Sequence, residues 1–154
     1  MRVTETHLPG VLVIKPDVFQ DCRGMFKELY QSKRYVDIGV ASEFVQDNHS
    51  FSQKSVLRGL HFQKTKPQGK LVSCMTGSVF DVAVDINSGS QTYGQWFGIE
   101  LSGRNHLQLW IPPGYAHGFC VLSDSADFCY KCTAFYDPND EGGIIWNDPD
   151  VGIT

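Results

Sequence analysis

The sequence predicts an all-β protein in which the strands form a sandwich or barrel. Short strand-like segments dominate the chain, and Gly, Pro, Asn, Asp and Ser separate them. Regular spacing of such segments is typical of sandwiches and barrels and not of βαβ units. The predicted strands lie within GVLVIKPDVF, RGMFKELY, VLRGLHFQ, KLVSCMTG, VFDVAVDI, GQWFGIELS, LQLWIPPG, HGFCVLS and DFCYKCTAFY. One further stretch, QSKRYVDIGV, predicts a short helix that ends at Gly39.

Length and charge predict a single domain without an extended charged surface. The 154 residues make one domain, 1–154, long enough to bury a core without disulfides or metal ions. The net charge of −4 argues against a large basic surface for nucleic acid or anionic membranes. The N-terminus MRVTETHL is polar, and no apolar run approaches the roughly 20 residues of a membrane helix. We therefore expect a soluble, cytoplasmic protein.

The cysteines indicate free thiols in a reducing compartment. Their number is odd, and most lie inside apolar segments. They are Cys22, Cys74, Cys120, Cys129 and Cys132. The spacing in CYKC does not favour zinc, because residues three apart on a strand point to opposite faces and no second ligand pair follows.

In two of the predicted strands, the alternation of side chains shows which residues share a face. In VFDVAVDI, Asp81, Ala83 and Asp85 share one face, which fits either the wall of an interior cavity or the solvated face of an antiparallel sheet. In DFCYKCTAFY, Tyr130 lies on an apolar face with Phe128. The strand by itself predicts that Tyr130 is a core residue whose hydroxyl bonds to a backbone carbonyl.

The segment LQLWIPPGYAHGF resembles the second signature of the cupin jelly rolls. Pro112, Gly114 and His117 match its Pro-x-Gly-x-x-His pattern, in which a rigid turn delivers the histidine onto a strand. Metal-binding cupins also have a His-x-His pair, whereas this chain has His61 followed two residues later by Gln63. A metal-dependent cupin oxygenase or isomerase is therefore disfavoured, because the imidazole-rich site cannot be completed.

Seven ordered motifs resemble the dTDP-4-dehydrorhamnose 3,5-epimerase family over essentially the whole chain. They are DCRGMFKE, QDNHSFS followed by VLRGLHFQ, PQGKLV, VFDVAVDI, WIPPGYAHGF, YKCTAFY and EGGIIWNDPD. The resemblance implies a cupin-type jelly roll with one or two short helices, usually a homodimer with N-terminal strand exchange. It implies epimerisation of a thymidine-diphosphate 4-keto-6-deoxy sugar in rhamnose biosynthesis, without metal or cofactor.

The same resemblance assigns the chemistry to particular residues. A proton on carbon 3 or carbon 5 is acidified by the ketone at carbon 4, so epimerisation needs a base on one face of the sugar and an acid on the other. By resemblance, His61 is the base and Tyr130 the acid. Lys70 is expected to stabilise the enolate oxygen.

Substrate-binding positions also follow from the resemblance. They are Arg23, Phe26, Glu28, Gln46, Asn48, Arg58, His117 and Glu141. Arg23 and Arg58 suit diphosphate oxygens, because a guanidinium is planar and permanently charged. Arg58 and His61 would face opposite ways on a regular strand, so we expect a bulge centred on Gly59 to turn both into one cavity.

Two departures from the family pattern lead to further expectations. Relatives continue past NDPDVGIT with a segment that carries a lysine and the aspartate partner of the base histidine. We therefore expect Asp81, before Asp85, to orient His61, with a pair between Asp81 and Lys70 as the alternative. The segment before Lys70 is one residue shorter than in the family. An epimerase acting at one carbon, or a weakly active sugar-nucleotide binder, stays open.

Overall fold

A computed structural model describes residues 1–41 and 43–154. Thirteen strands and one short helix follow one another in these residues. They are β1 Arg2–Glu5, β2 Leu12–Lys15, β3 Val18–Asp21, β4 Gly24–Lys27, α1 Ser32–Asp37, β5 Gln46–Gln53, β6 Leu57–Gln63, β7 Lys70–Thr76, β8 Ser78–Asp85, β9 Trp96–Ser102, β10 Gln108–Ile111, β11 Tyr115–Val121, β12 Ser125–Cys132 and β13 Glu141–Gly143.

Two antiparallel sheets form the body of the protein. The six-stranded sheet has the order β1-β2-β10-β7-β12-β5, and the five-stranded sheet has the order β13-β6-β11-β8-β9. Both sheets contribute side chains to the central hydrophobic cluster, among them Val72 and Phe128 from one sheet and Val79 and Phe119 from the other. The prediction of an all-β sandwich is therefore confirmed, because the sheets bury their apolar faces against each other.

The structure refines the predicted elements. The helix ends as predicted, with Gly39 at a φ of +89°, and the Gln31 side chain accepts from the backbone N–H of Arg34 at its start. The first predicted strand divides into β2 and β3 at Pro16. Strand β12 ends at Cys132, four residues earlier than predicted by the segment's alternation.

Three strands were not predicted, namely β1, β5 and β13. Strand β5 consists of QDNHSFSQ, and Asn, Asp and Ser are depleted in strands. It nevertheless pairs with β12 along its whole length, from Gln46 opposite Cys132 to Gln53 opposite Ser125. Tertiary pairing overrides local propensity here.

Both faces of β8 are covered. Its face with Asp81, Ala83 and Asp85 points between the two sheets, as the cavity-wall interpretation requires, and all three residues are buried. The opposite face contributes Val82 and Val84 to a separate cluster, with Ile144 packed against it. The alternative of a solvated face is therefore wrong for this strand.

A two-stranded hairpin, β3–β4, stands apart from both sheets. Its aromatic side chains are exposed, with Phe19 at 63% and Phe26 at 68% of their accessible surface. Lys27 at its end contacts the body, with Nζ 3.3 Å from Nδ1 of His106. Among the helices in the described part of the chain, none is long and apolar enough to cross a membrane.

Candidate active site

A cavity of about 590 Å³ lies between the two sheets. Most of the polar side chains that the sequence predicts for the site contribute to its wall. They are Gln46, Asn48, Arg58, His61, Lys70, His117, Tyr130 and Glu141. The wall also includes aromatic side chains, Phe119 and Phe128, whose ring centroids lie 4.2 Å apart. Many polar groups that converge on a cavity with an aromatic patch are suited to bind a polar small molecule.

A bulge in β6 brings Arg58 and His61 to this cavity together. His61 pairs with His117 of β11, and Arg58 pairs with Phe119, so three steps on β6 oppose two steps on β11. Gly59 lies inside the bulge at a φ of +110°, and a Cβ there would meet Gly118 Cα at 2.6 Å. The predicted bulge is therefore confirmed, and glycine is required by both the φ value and the close approach.

His61 stands at the solvent-accessible side of the cavity, and its side chain is 53% exposed. Its Nδ1 lies 3.9 Å from Oε1 of Glu141, which projects from β13 on the same face of the sheet. The other carboxylate oxygen of Glu141 accepts a hydrogen bond from the Tyr136 hydroxyl at 3.0 Å. This bond raises the pKa of Tyr136. Among the described residues, Glu141 is thus the one whose carboxylate lies beside the His61 ring.

The prediction that Asp81 orients His61 is wrong. The Asp81 carboxylate accepts from His117 Nε2, at 2.9 and 3.1 Å, and is fully buried. Asp85 accepts from the Thr92 hydroxyl at 2.6 Å instead of approaching His61. The reason is topological, because β8 pairs with β11, and β11 separates it from the strand that carries His61.

Lys70 lies at the start of β7, and its side chain reaches the cavity. Burial lowers the pKa of Lys70, while Cys132, Asp81 and Glu141 act in the opposite direction. None of the described carboxylates lies within 4.0 Å of its ammonium group, so the alternative of an Asp81–Lys70 pair is not found. A half-buried ammonium without a carboxylate partner among the described residues is suited to stabilise negative charge that develops on a ligand.

Tyr130 enters the cavity from β12, on the sheet opposite to the one that carries His61. Burial is the main cause that raises its pKa, with Cys132 adding to the effect and Arg58 opposing it. The hydroxyl is therefore protonated at neutral pH. Among the described residues, the hydroxyls of Tyr35, Tyr115 and Tyr136 donate hydrogen bonds, whereas the backbone bond expected of a core tyrosine is not found for Tyr130. Its hydroxyl is therefore available to a ligand.

Hydrogen bonds fix the polar wall around Arg58, Gln46 and Asn48. Arg58 Nε donates to Ser52 Oγ at 3.0 Å. Gln46 Oε1 accepts from the backbone N–H of Tyr136, and its Nε2 donates to Asn48 Oδ1 at 3.0 Å. The Asn48 amide then donates to the Cys132 thiol at 3.6 Å. Each amide group therefore has one defined orientation.

Three predicted binding residues lie outside the cavity of their own chain. Arg23 pairs with Asp21 within the hairpin, and Phe26 is exposed beside it. Glu28 pairs with Arg34 at 3.3 Å. The single chain therefore does not bring Arg23, Phe26 and Glu28 together with His61.

Tyr136 and Ser52 are among the residues of the site that sequence reasoning missed. Tyr136 lines the cavity and bonds to Glu141. Its position in the motif YKCTAFY was a signal, because it shares the alternating face of Tyr130. Ser52 holds Arg58, and an inward-facing serine on a polar strand gave no signal. No group of three or more His, Cys, Asp or Glu suited to a metal ion occurs in residues 1–41 and 43–154.

Comparisons with known proteins agree with this architecture. The family model described as dTDP-4-dehydrorhamnose 3,5-epimerase matches residues 5–154. The dTDP-4-dehydrorhamnose 3,5-epimerase of Salmonella typhimurium is 55% identical, over 99% of this chain and 85% of the relative. The dTDP-4-dehydrorhamnose 3-epimerase of Streptomyces niveus is 39% identical, over 99% of this chain and 75% of the relative.

A solved structure shows the same fold. The crystal structure of dTDP-6-deoxy-D-glucose-3,5-epimerase from Legionella pneumophila in complex with dTDP-4-keto-L-rhamnose has a TM-score of 0.97 and 53% identity, over 99% of this chain and 81% of that chain. The predicted cupin-type jelly roll is confirmed by this likeness. On sequence and structure together, the chain belongs to the dTDP-4-dehydrorhamnose 3,5-epimerase family.

Proposed function

We propose that this chain epimerises dTDP-4-dehydro-6-deoxy-D-glucose at carbons 3 and 5 to give dTDP-4-dehydro-L-rhamnose. The observation that carries the proposal is the convergence of His61, Tyr130 and Lys70 on one cavity from opposing sheets. A base and an acid on opposite walls match the need to remove a proton from one face of the sugar and return one to the other.

The mechanism assigns one step to each group. Neutral His61 takes the proton next to the 4-keto group, and the electron pair moves onto the carbonyl oxygen as an enolate. Lys70 stabilises that oxygen with its ammonium charge. Tyr130 then donates its phenolic proton to carbon from the opposite side, and the enolate collapses to the inverted ketone. Arg58 holds the diphosphate through its guanidinium fork.

Deuterium exchange tests the proposal directly. The protein is incubated with dTDP-4-dehydro-6-deoxy-D-glucose in deuterated water, and label at each carbon is followed by NMR. We expect label and inversion at carbons 3 and 5, and the loss of both in His61→Ala with dTDP affinity nearly retained. Wild-type exchange in His61→Ala would show that another group is the base.

Inversion at one carbon is the second candidate, because the Streptomyces niveus relative is named as a 3-epimerase. The same experiment separates the two, since a 3-epimerase leaves carbon 5 uninverted. We further propose that turnover needs no metal or cofactor, because the roles above use side chains alone. Full turnover after exhaustive chelation supports this, and loss restored by one divalent ion contradicts it.

We also propose a homodimer in which the β3–β4 hairpin of one protomer completes the site of its partner. Support comes from the exposed Phe19 and Phe26 and from the position of Arg23 on the same hairpin, away from its own cavity. Arg23 and Glu28 would then contact the nucleotide that is bound in the partner's cavity. The free thiols of the chain fit a reducing, cytoplasmic location. Sedimentation of the wild type against Phe26→Ser tests the assembly, with a shift towards monomer expected.

A further inference from the structure

The inner face of β5 carries four polar side chains in succession. Gln46, Asn48, Ser50 and Ser52 alternate with Asp47, His49, Phe51 and Gln53, which point to the other face. Gln46, Asn48 and Ser52 have side-chain hydrogen-bond partners, as described above. Ser50 is the exception.

The Ser50 hydroxyl is the one buried side-chain polar atom in the described residues that has no hydrogen-bond partner. Such groups are rare, because a buried donor without a partner loses its hydrogen bonds to water and gains none in return. Ser50 lies opposite Phe128 in the β12 register, and the apolar ring offers it no partner. The residue nevertheless lines the cavity, so a rotation about χ1 turns the hydroxyl towards a ligand.

The neighbours of Ser50 indicate which part of a ligand it meets. Asn48, opposite Tyr130, lies two residues before it, and Ser52, which holds Arg58, lies two residues after it. Each interval is roughly 7 Å along a strand. Ser50 therefore lies on β5 between the residue opposite the proposed acid, Tyr130, and the residue that holds the proposed diphosphate-binding group, Arg58.

We propose that Ser50 is a substrate-binding residue whose hydroxyl donates a hydrogen bond to a phosphoryl oxygen of the diphosphate. This inference rests on the proposed function and adds a neutral donor to the charged Arg58. A hydroxyl donor to an anionic oxygen forms one of the stronger hydrogen bonds of proteins. In the free protein the hydroxyl has no hydrogen-bond partner among the described residues, so its hydrogen bond forms only when the ligand binds and adds to the binding affinity.

The variant Ser50→Ala tests the proposal by two measurements of different kind. Removal of an unpaired buried hydroxyl should leave the Tm of the free protein unchanged or raised. Affinity for dTDP by calorimetry should fall about tenfold, whereas affinity for thymidine, which has no phosphate, should be unchanged. Ser73→Ala is the matched control, because Ser73 is buried, accepts from Gln108 at 3.1 Å and lies outside this cavity. It should lower the Tm and leave dTDP affinity intact.

Other outcomes overturn the proposal. A fall in Tm with unchanged dTDP affinity would make Ser50 a structural residue. Unchanged dTDP affinity with weakened binding of dTDP-rhamnose would transfer the contact to the sugar. If the wild type itself did not bind dTDP, the proposed function would fail, and the Ser50 contact would fail with it. If the wild type bound dTDP and Ser50→Ala bound it equally well, only the Ser50 contact would be refuted.

Discussion

Nε2 of His117 lies 2.9 Å from Oδ2 of Asp81, and both side chains are almost completely buried, at 8% and 0% exposure. His117 also stacks against Phe128 on the opposite sheet. The carboxylate therefore fixes the ring of a cavity-lining histidine rather than that of the proposed base. Because an ionised carboxylate only accepts, Nε2 carries a proton and Nδ1 is the nitrogen left for other contacts.

This pair gives a first prediction, for Asp81→Asn. An amide in place of the carboxylate weakens a buried, charge-assisted hydrogen bond, so we expect a loss of about 1–3 kcal/mol in the free energy of unfolding. Urea denaturation measures it. The variant should weaken dTDP binding more than the exchange step at His61, and a variant as stable as the wild type would contradict the buried pair.

The proposed acid role of Tyr130 gives a second prediction. Because burial raises the pKa of Tyr130, its hydroxyl holds a proton at neutral pH. Tyr130→Phe should still release substrate protons to deuterated water through His61 but return them to the opposite face poorly, with inverted product about 100-fold slower. Tyr115→Phe is the control, since the Tyr115 hydroxyl donates to the Pro9 carbonyl at 2.8 Å away from this cavity. A wild-type yield of inverted product from Tyr130→Phe would make Tyr130 a core residue.

The guanidinium of Arg58 gives a third prediction. Its Nε donates to Ser52, which leaves the terminal nitrogens free to bind phosphate oxygens in a fixed plane. Arg58→Lys conserves the charge but not this geometry, and dTDP affinity should fall about tenfold by calorimetry. Lys54→Gln removes an exposed charge that lies 3.8 Å from Asp124 and should have no effect. Equal losses in both variants would instead implicate the total charge.

Lys70 gives a prediction for pH dependence. Burial lowers the pKa of Lys70, so the ammonium loses its proton at a lower pH than an exposed lysine does. The charged form exists below the pKa, so kcat/KM should decline with rising pH before the ordinary lysine value of 10.5 is reached. Lys70→Met should reduce kcat about 100-fold and abolish this alkaline limb. If kcat/KM of Lys70→Met declined at the same high pH as that of the wild type, the decline would have to come from another group.

The sequence by itself determined the fold class and most of the predicted site residues that line the cavity. Strand spacing predicted the sandwich, and Pro112 and Gly114 predicted the turn that delivers His117 to β11. Arg58 and His61 would point to opposite faces of a regular strand, and this conflict with a shared cavity predicted the bulge at Gly59. These features are local, because turn chemistry, side-chain alternation and glycine conformation depend on a few neighbouring residues.

The tertiary structure alone decided which groups meet across strands. Asp81 and Asp85 share one face of β8, but in the strand order β13-β6-β11-β8 the neighbour of β8 is β11. Asp81 therefore bonds to His117 of β11, and Glu141 of β13 lies beside His61 of β6. Strand β5 is too polar to be predicted from propensity, yet pairing with β12 turns Ser50 and Ser52 inward. Sheet order and register arise from the packing of distant segments, so no local pattern contains them.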